Sequence, residues 1–157
     1  MLARLLFLYL AAFAALPIAV AAPAAPAVDP GITAFVETYF SSWSKGDFAR
    51  YRACFDPGAS ISFKAGEKWL PWALPKFLDD QEQFQSTRRS EEVPLSTSVK
   101  AESPGIALVE VPWRLQRAGS KEVTTGIDWF TLVKTGEGWR IMHLTFWQDA
   151  PGKLGQP

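Results

Sequence analysis

Residues 106–148 read IALVEVPWRLQRAGSKEVTTGIDWFTLVKTGEGWRIMHLTFWQ, and the fold is decided there. Apolar side chains recur at alternate positions on either side of two glycine-bearing breaks, Ala118-Gly119-Ser120 and Thr135-Gly136-Glu137. A period of two interrupted by such breaks predicts hairpin-connected strands, here over about 106–117, 121–134 and 138–148. A fourth strand, about 95–102, precedes them across Ser103-Pro104-Gly105.

The turns also set a register. Symmetric closure of the first hairpin puts Val111 opposite Asp128 and Trp113 opposite Gly126, where a residue without a side chain leaves room for an indole. Symmetric closure of the second puts Leu132 opposite Ile141, Phe130 opposite His143 and Asp128 opposite Thr145. Opposed residues share a face, so Val109, Val111, Trp113, Phe130, Leu132, Ile141 and Trp147 make one apolar face. Its polar exceptions, Asp128, His143 and Thr145, fall side by side. The other face mixes Glu110, Arg114 and Arg140 with Trp129, Met142 and Phe146, a composition that suits a surface partly solvated and partly an interface.

Upstream the period is helical. Ile32, Phe35, Val36, Tyr39, Phe40 and Trp43 fall on one stripe and predict an amphipathic helix that Lys45-Gly46 ends. Asp47 is placed to cap a second helix over 48–55, Asp56-Pro57-Gly58 makes a turn, and 59–63 forms a short strand. Residues 64–73, with Gly66, Trp69, Pro71 and Trp72, read as an irregular loop. Pro75 opens a third helix that runs to about Arg88. Three helices followed by long antiparallel strands give an α+β domain whose sheet covers its apolar face with the helices.

The first residues carry an address. A single positive charge, Arg4, precedes an uncharged stretch over 5–21, with small residues at 19 and 21 that suit signal peptidase. Pro17 and the shortness of the stretch argue against a membrane anchor. The expected organisation is a signal peptide over 1–21, an extended Ala/Pro-rich leader over 22–30, one domain over 31–149 and a tail over 150–157. Cys54 is the only cysteine and does not follow the signal, so no lipid anchor is expected. The protein is expected in the periplasm or medium, with no membrane insertion after cleavage. Cys54 reads as a buried small hydrophobe. One cysteine allows no intrachain disulfide, and with a single histidine it gives no zinc-site spacing, so neither metal nor cofactor is expected. Once Arg4 leaves with the signal, 15 of the 16 Lys and Arg remain against 16 Asp and Glu. That balance builds no field for nucleic acid, and the expected partner is a small molecule or a protein.

Three local features occur in order: Lys45-Gly46-Asp47-Phe48 between the helices, Phe55-Asp56-Pro57-Gly58-Ala59 before the first strand, and Gly138-Trp139-Arg140-Ile141 opening the last. In this arrangement the chain resembles the nuclear transport factor 2-like superfamily, in its SnoaL-like branch, over about 31–148. The resemblance implies a strongly bent antiparallel sheet wrapped around helix one, a cone with a pocket inside it, and often a dimer built on the outer face. The same cone houses ketosteroid isomerase and scytalone dehydratase. The isomerase pattern has a proton-abstracting acid near the end of the first strand, and the matching Ile61-Ser62-Phe63-Lys64 carries none. Glu67 beyond it is a weak substitute, while Tyr39 and Asp128 match a helix hydroxyl donor and a strand acid.

A carboxylate inside an apolar face must be hydrogen-bonded or protonated. Asp128 and His143, read as neighbours, either satisfy each other or form an acid/base pair. Tyr39, Trp43, Trp113, Phe130 and Thr145 would line the same space, with Trp69 and Trp72 either at its mouth or folded back on the third helix. Three functions follow. The first is a non-catalytic binder of a small, mostly apolar molecule; the second is an isomerase, hydratase or cyclase using Asp128 and His143. The third is an interaction module, of the immunity or adaptor kind, using the outer face, where a homodimer would also form.

Overall fold

The computed structural model describes residues 28–149, so the expected signal peptide, most of the leader and the tail lie outside the described residues. Asp29 ties the first helix to the sheet. Its carboxylate accepts from the Gly31 N–H at 2.8 Å and caps α1 (Pro30–Lys45), and it reaches Lys134 Nζ at 2.6 Å. Helix α1 thus begins at Pro30, with Asp29 as its cap. Of the expected stripe, Ile32, Val36, Tyr39, Phe40 and Trp43 are buried and Phe35 is half-buried, and Gly46 ends the helix at φ 72°, a conformation glycine takes without strain. Asp47 caps α2 (Phe48–Ala53), which stops two residues earlier than expected, and α3 is Leu74–Arg88.

The strands are β1 (Phe55–Ala65), β2 (Lys68–Trp72), β3 (Ser90–Pro94), β4 (Ser98–Ser103), β5 (Ile106–Arg117), β6 (Val123–Thr135) and β7 (Gly138–Gln148). They form one curved, unclosed sheet in the order β2-β1-β7-β6-β5-β3, with β4 sharing the outer edge of β5 with β3. The helices cover its inner face, and the core lies between α1 and strands β5, β6 and β7.

Three expectations change. The stretch over 64–73 is no loop but the β1–β2 hairpin, turning at Gly66; Pro71 is tolerated because β2 is the sheet's edge. The strand expected over 95–102 is β4, beginning at Ser98, and an unexpected strand, β3, precedes it over Ser90–Pro94 on the same edge of β5. The sheet is mixed, since β1 runs parallel to β7: the free edge of the hairpin series is filled by a strand arriving from the helical layer. The Asp56-Pro57-Gly58 turn survives inside β1, where Asp56 accepts from the Gly58 N–H at 2.8 Å and pairing with β7 breaks between Phe55 and Ser60.

The register of β5 on β6 is as the turn dictates, with Val111 opposite Asp128 and Trp113 opposite Gly126. That of β6 on β7 begins as expected, with Lys134 opposite Trp139 and Leu132 opposite Ile141, but then slips. Met142 is left without a partner, and beyond this bulge Thr131 faces His143, Phe130 faces Leu144 and Asp128 faces Phe146. One extra residue reverses the faces of everything that follows it.

The last turn of α3 is tied to its neighbours by Gln85. Its amide nitrogen is offered to the carbonyls of Trp43, Ser44 and Ser90, at 3.1, 3.1 and 2.6 Å, and its oxygen accepts from the Ser90 N–H at 2.7 Å. Ser44 Oγ then donates to the Glu92 carbonyl at 2.8 Å and accepts from the Glu92 N–H at 2.9 Å. The short strand β3 thus hangs from the ends of two helices as well as from β5. Elsewhere the packing is tightest at Gly126, where an added Cβ would overlap the Trp113 indole and the Trp147 carbonyl oxygen. The Gly126→Ala variant should lose about 1–3 kcal/mol of stability, read as a lower urea midpoint at unchanged m value.

Candidate functional site

Inside the sheet the helices leave a cavity of about 450 Å³. One wall is aromatic: Phe63, Trp72, Phe77 and Phe146 stack on one another with ring centres 4.9–6.4 Å apart, and Trp43 lies against Phe84. Offset and edge contacts of this kind hold the four rings as one rigid apolar wall. The other side is polar. Asp128, 4% exposed, accepts from Trp113 Nε1 at 2.7 Å, and the Tyr51 hydroxyl donates to that of Tyr39 at 3.2 Å. Tyr39 thereby keeps its own proton for Asp128 or for an occupant of the cavity. Trp43 Nε1 donates to Gln81 Oε1 at 2.9 Å.

A second acid completes this side. Glu92 stands opposite Leu115 in the β3–β5 pairing, and both side chains line the cavity. Burial raises its carboxyl well above the usual range, and the neighbouring Asp128 raises it further. Asp128 is pushed up to about 7, again by burial, with the Trp113 N–H and the Tyr39 hydroxyl opposing the rise. The same loss of water raises both phenols. Burial and mutual repulsion both favour the protonated forms of this pair.

Of the residues singled out in the sequence, Tyr39, Trp43, Trp72, Trp113 and Asp128 come together around the cavity. Trp72 answers both readings at once, since it lines the cavity and packs on Phe77 of α3 at 5.4 Å. Phe130 is buried against Tyr39 in the core, behind the cavity wall, and Trp69 is 49% exposed on β2. His143 and Thr145 are corrected. The bulge at Met142 turns both to the outer face, where His143 Nδ1 meets Ser60 Oγ at 2.6 Å and Nε2 meets Thr145 Oγ1 at 2.7 Å. The expected Asp128–His143 pair does not form, and Leu144 and Phe146 occupy the inward positions instead. Sequence reasoning missed Glu92, Tyr51 and Gln81. For Tyr51 the signal was present, because it follows Asp47 at i+4 on the capped helix.

A larger depression, about 900 Å³, is lined by turn residues such as Gly46, Arg89 and Gly119 and contains no buried ionisable side chain. Cys54 is buried, and burial pushes its thiol up to about 11, as suits an inert core residue. Among the described residues no cluster of His, Cys, Asp and Glu could hold a metal, and no helix is long and apolar enough to cross a membrane.

A bent mixed sheet closed over α1, with its cavity between helices and sheet, defines a nuclear transport factor 2-like cone protein. Within that class a family model described as "Putative lumazine-binding" matches residues 27–147, and the chain belongs to this family. Solved structures share the cone. A "putative scytalone dehydratase" from Novosphingobium aromaticivorans superposes with a TM-score of 0.65 at 12% identity, over 81% of this chain and 87% of that one. A "putative dehydratase" of the nuclear transport factor 2-like family from Streptomyces avermitilis gives 0.63 at 13%, over 76% and 94%. The β subunit of benzoate 1,2-dioxygenase from Burkholderia mallei gives 0.65 at 11%, over 78% and 92%. At such identities the likeness is one of fold. No curated protein matches the sequence.

The buried acids make stability depend on pH with a definite sign. A carboxyl whose pKa is higher folded than unfolded stays protonated in the fold while the unfolded chain ionises, so stability is full below about pH 4 and falls as pH rises towards 7. Asp128→Asn should flatten that fall by an amount on the order of 2–4 kcal/mol in urea titrations between pH 4 and 8.

Proposed function

We propose that the cone binds one small, flat, mostly apolar molecule with a polar edge, and that holding this molecule, rather than converting it, is its role. The observation that carries the reading is the two-sided cavity: stacked Phe63, Trp72, Phe77 and Phe146 on one side, and Asp128, Glu92, Tyr39 and Tyr51 on the other. Its size falls in the range of about 300–1,000 Å³ usual for small-molecule sites. The family description names lumazine, a planar bicyclic heterocycle, and supports a ligand of that shape. With His143 turned outward, the acid/base pair that would have argued for chemistry is missing from the cavity. One observation favours a second reading, proton transfer by Asp128: a desolvated carboxyl with a pKa near 7 is suited to general acid/base work.

Titration of intrinsic tryptophan fluorescence with lumazine and other fused bicyclic aromatics is the test. Saturable 1:1 quenching is expected, weakened about tenfold or more in Trp72→Ala, which removes one side of the slot. A signal that no bicycle changes, or binding indifferent to both Trp72→Ala and Asp128→Asn, would refute the reading. Conversion of a bound molecule that stops in Asp128→Asn would establish the second reading instead.

Export and pairing belong to the same proposal on other grounds. The uncharged stretch after Arg4 supports a cleaved signal and a periplasmic or secreted protein. On the outer face Ile106 and Leu108 are 48% and 44% exposed beside the half-buried Val133 and Trp129, which supports a homodimer across the sheet. Mature protein should sediment as a dimer and its Leu108→Glu variant as a monomer with unchanged circular dichroism.

A further inference from the structure

We infer that the polar edge of the bound molecule carries N–H donors, as in an amidine, an amino-substituted heterocycle or a cyclic amide, and that Glu92 and Asp128 accept from it. This rests on the reading of the cone as a small-molecule site and names the chemical class which that site selects.

The argument is an excess of acceptors. Asp128 Oδ1 is taken by Trp113 Nε1 and the Tyr39 hydroxyl stands beside the same carboxyl, which leaves part of its acceptor capacity unused. The Glu92 carboxylate accepts from no protein donor among the described residues; the bonds to Ser44 involve only its backbone. Both side chains nonetheless face the cavity, Glu92 by its pairing opposite Leu115 and Asp128 from the inner face of β6. Carboxyl oxygens that line a cavity with few protein donors gain hydrogen bonds from a ligand that supplies them.

The groups around the pair point the same way. From α1 and α2 come the phenols of Tyr39 and Tyr51, and from α3 the uncharged amide of Gln81, whose oxygen is already used by Trp43. The cation lining the cavity is Lys64 of β1, an exposed residue, and β5 and β7 contribute no ionisable side chain to the lining. A carboxylate or phenolate ligand would bring a third negative charge to two acids with no guanidinium or ammonium among the buried lining groups. A donor-rich edge, neutral or cationic, meets them with complementary charge.

Three probes with one naphthalene body separate the possibilities: 2-naphthamidine, which presents N–H donors and a positive charge, unsubstituted naphthalene, and 2-naphthoate. Binding is measured by calorimetry and tryptophan fluorescence at pH 8 on wild type, Glu92→Gln and Asp128→Asn, with near-UV circular dichroism confirming that each variant keeps its aromatic packing. The amidine is expected to bind tighter than naphthalene by about tenfold or more, and the carboxylate weakest. Each variant should lose most of the amidine's advantage. Naphthoate binding as well as or better than naphthamidine would overturn the inference, and so would a preference that survives in both variants. If all three probes bind alike, the cone is a pocket without this selectivity. If none binds, the small-molecule reading falls with it.

Discussion

The hydrogen bond from the Trp113 indole to Asp128 governs the interior of this cone. A carboxyl group on the inner face of a sheet has to be compensated, and here the compensation comes from across the hairpin, at 2.7 Å. For the indole to lie along the sheet, the residue opposite it can have no side chain, and Gly126 provides that gap. Glycine, tryptophan and aspartate are therefore one device spread over two strands. With Asp128 held there, Tyr39 and Tyr51 line the same cavity beside it.

Glu92 reaches the same cavity by an unrelated route. Its strand is five residues long and carries a proline, so pairing with β5 alone would leave it loosely placed. Gln85 and Ser44 correct this by binding the backbone on both sides of Glu91. The acid on β6 is thus fixed by sheet geometry and the acid on β3 by helix ends, so the polar edge of the pocket depends on how the two layers sit against each other.

The legible parts of this fold are those where period and turn agree. Helix α1 declared its buried stripe, and the short Ala118-Gly119-Ser120 turn fixed the β5–β6 pairing and with it Asp128, Trp113 and Gly126. The β6–β7 pairing misled because both faces of β7 are apolar enough to be buried: Ile141 and Trp147 alternate with Met142, Leu144 and Phe146. A symmetric turn was assumed to propagate, and the phase change from Ile141 to Leu144 went unread. Glu92 stayed hidden because a five-residue strand shows no period, and β2 because Pro71 and two tryptophans look like loop composition. The family and its structural neighbours fix the cone, but neighbours at 11–13% identity leave the chemistry of the interior to be read from its own side chains.

The unpaired Met142 gives this protein two alternative interiors encoded in one strand. With the extra residue, Leu144 and Phe146 face inward and the pocket is a greasy slot beside two acids. Without it, His143, Thr145 and Trp147 would turn in, and the same cone would present imidazole and hydroxyl groups next to Asp128. One residue in the last strand therefore decides which set of side chains the cone presents to its cavity.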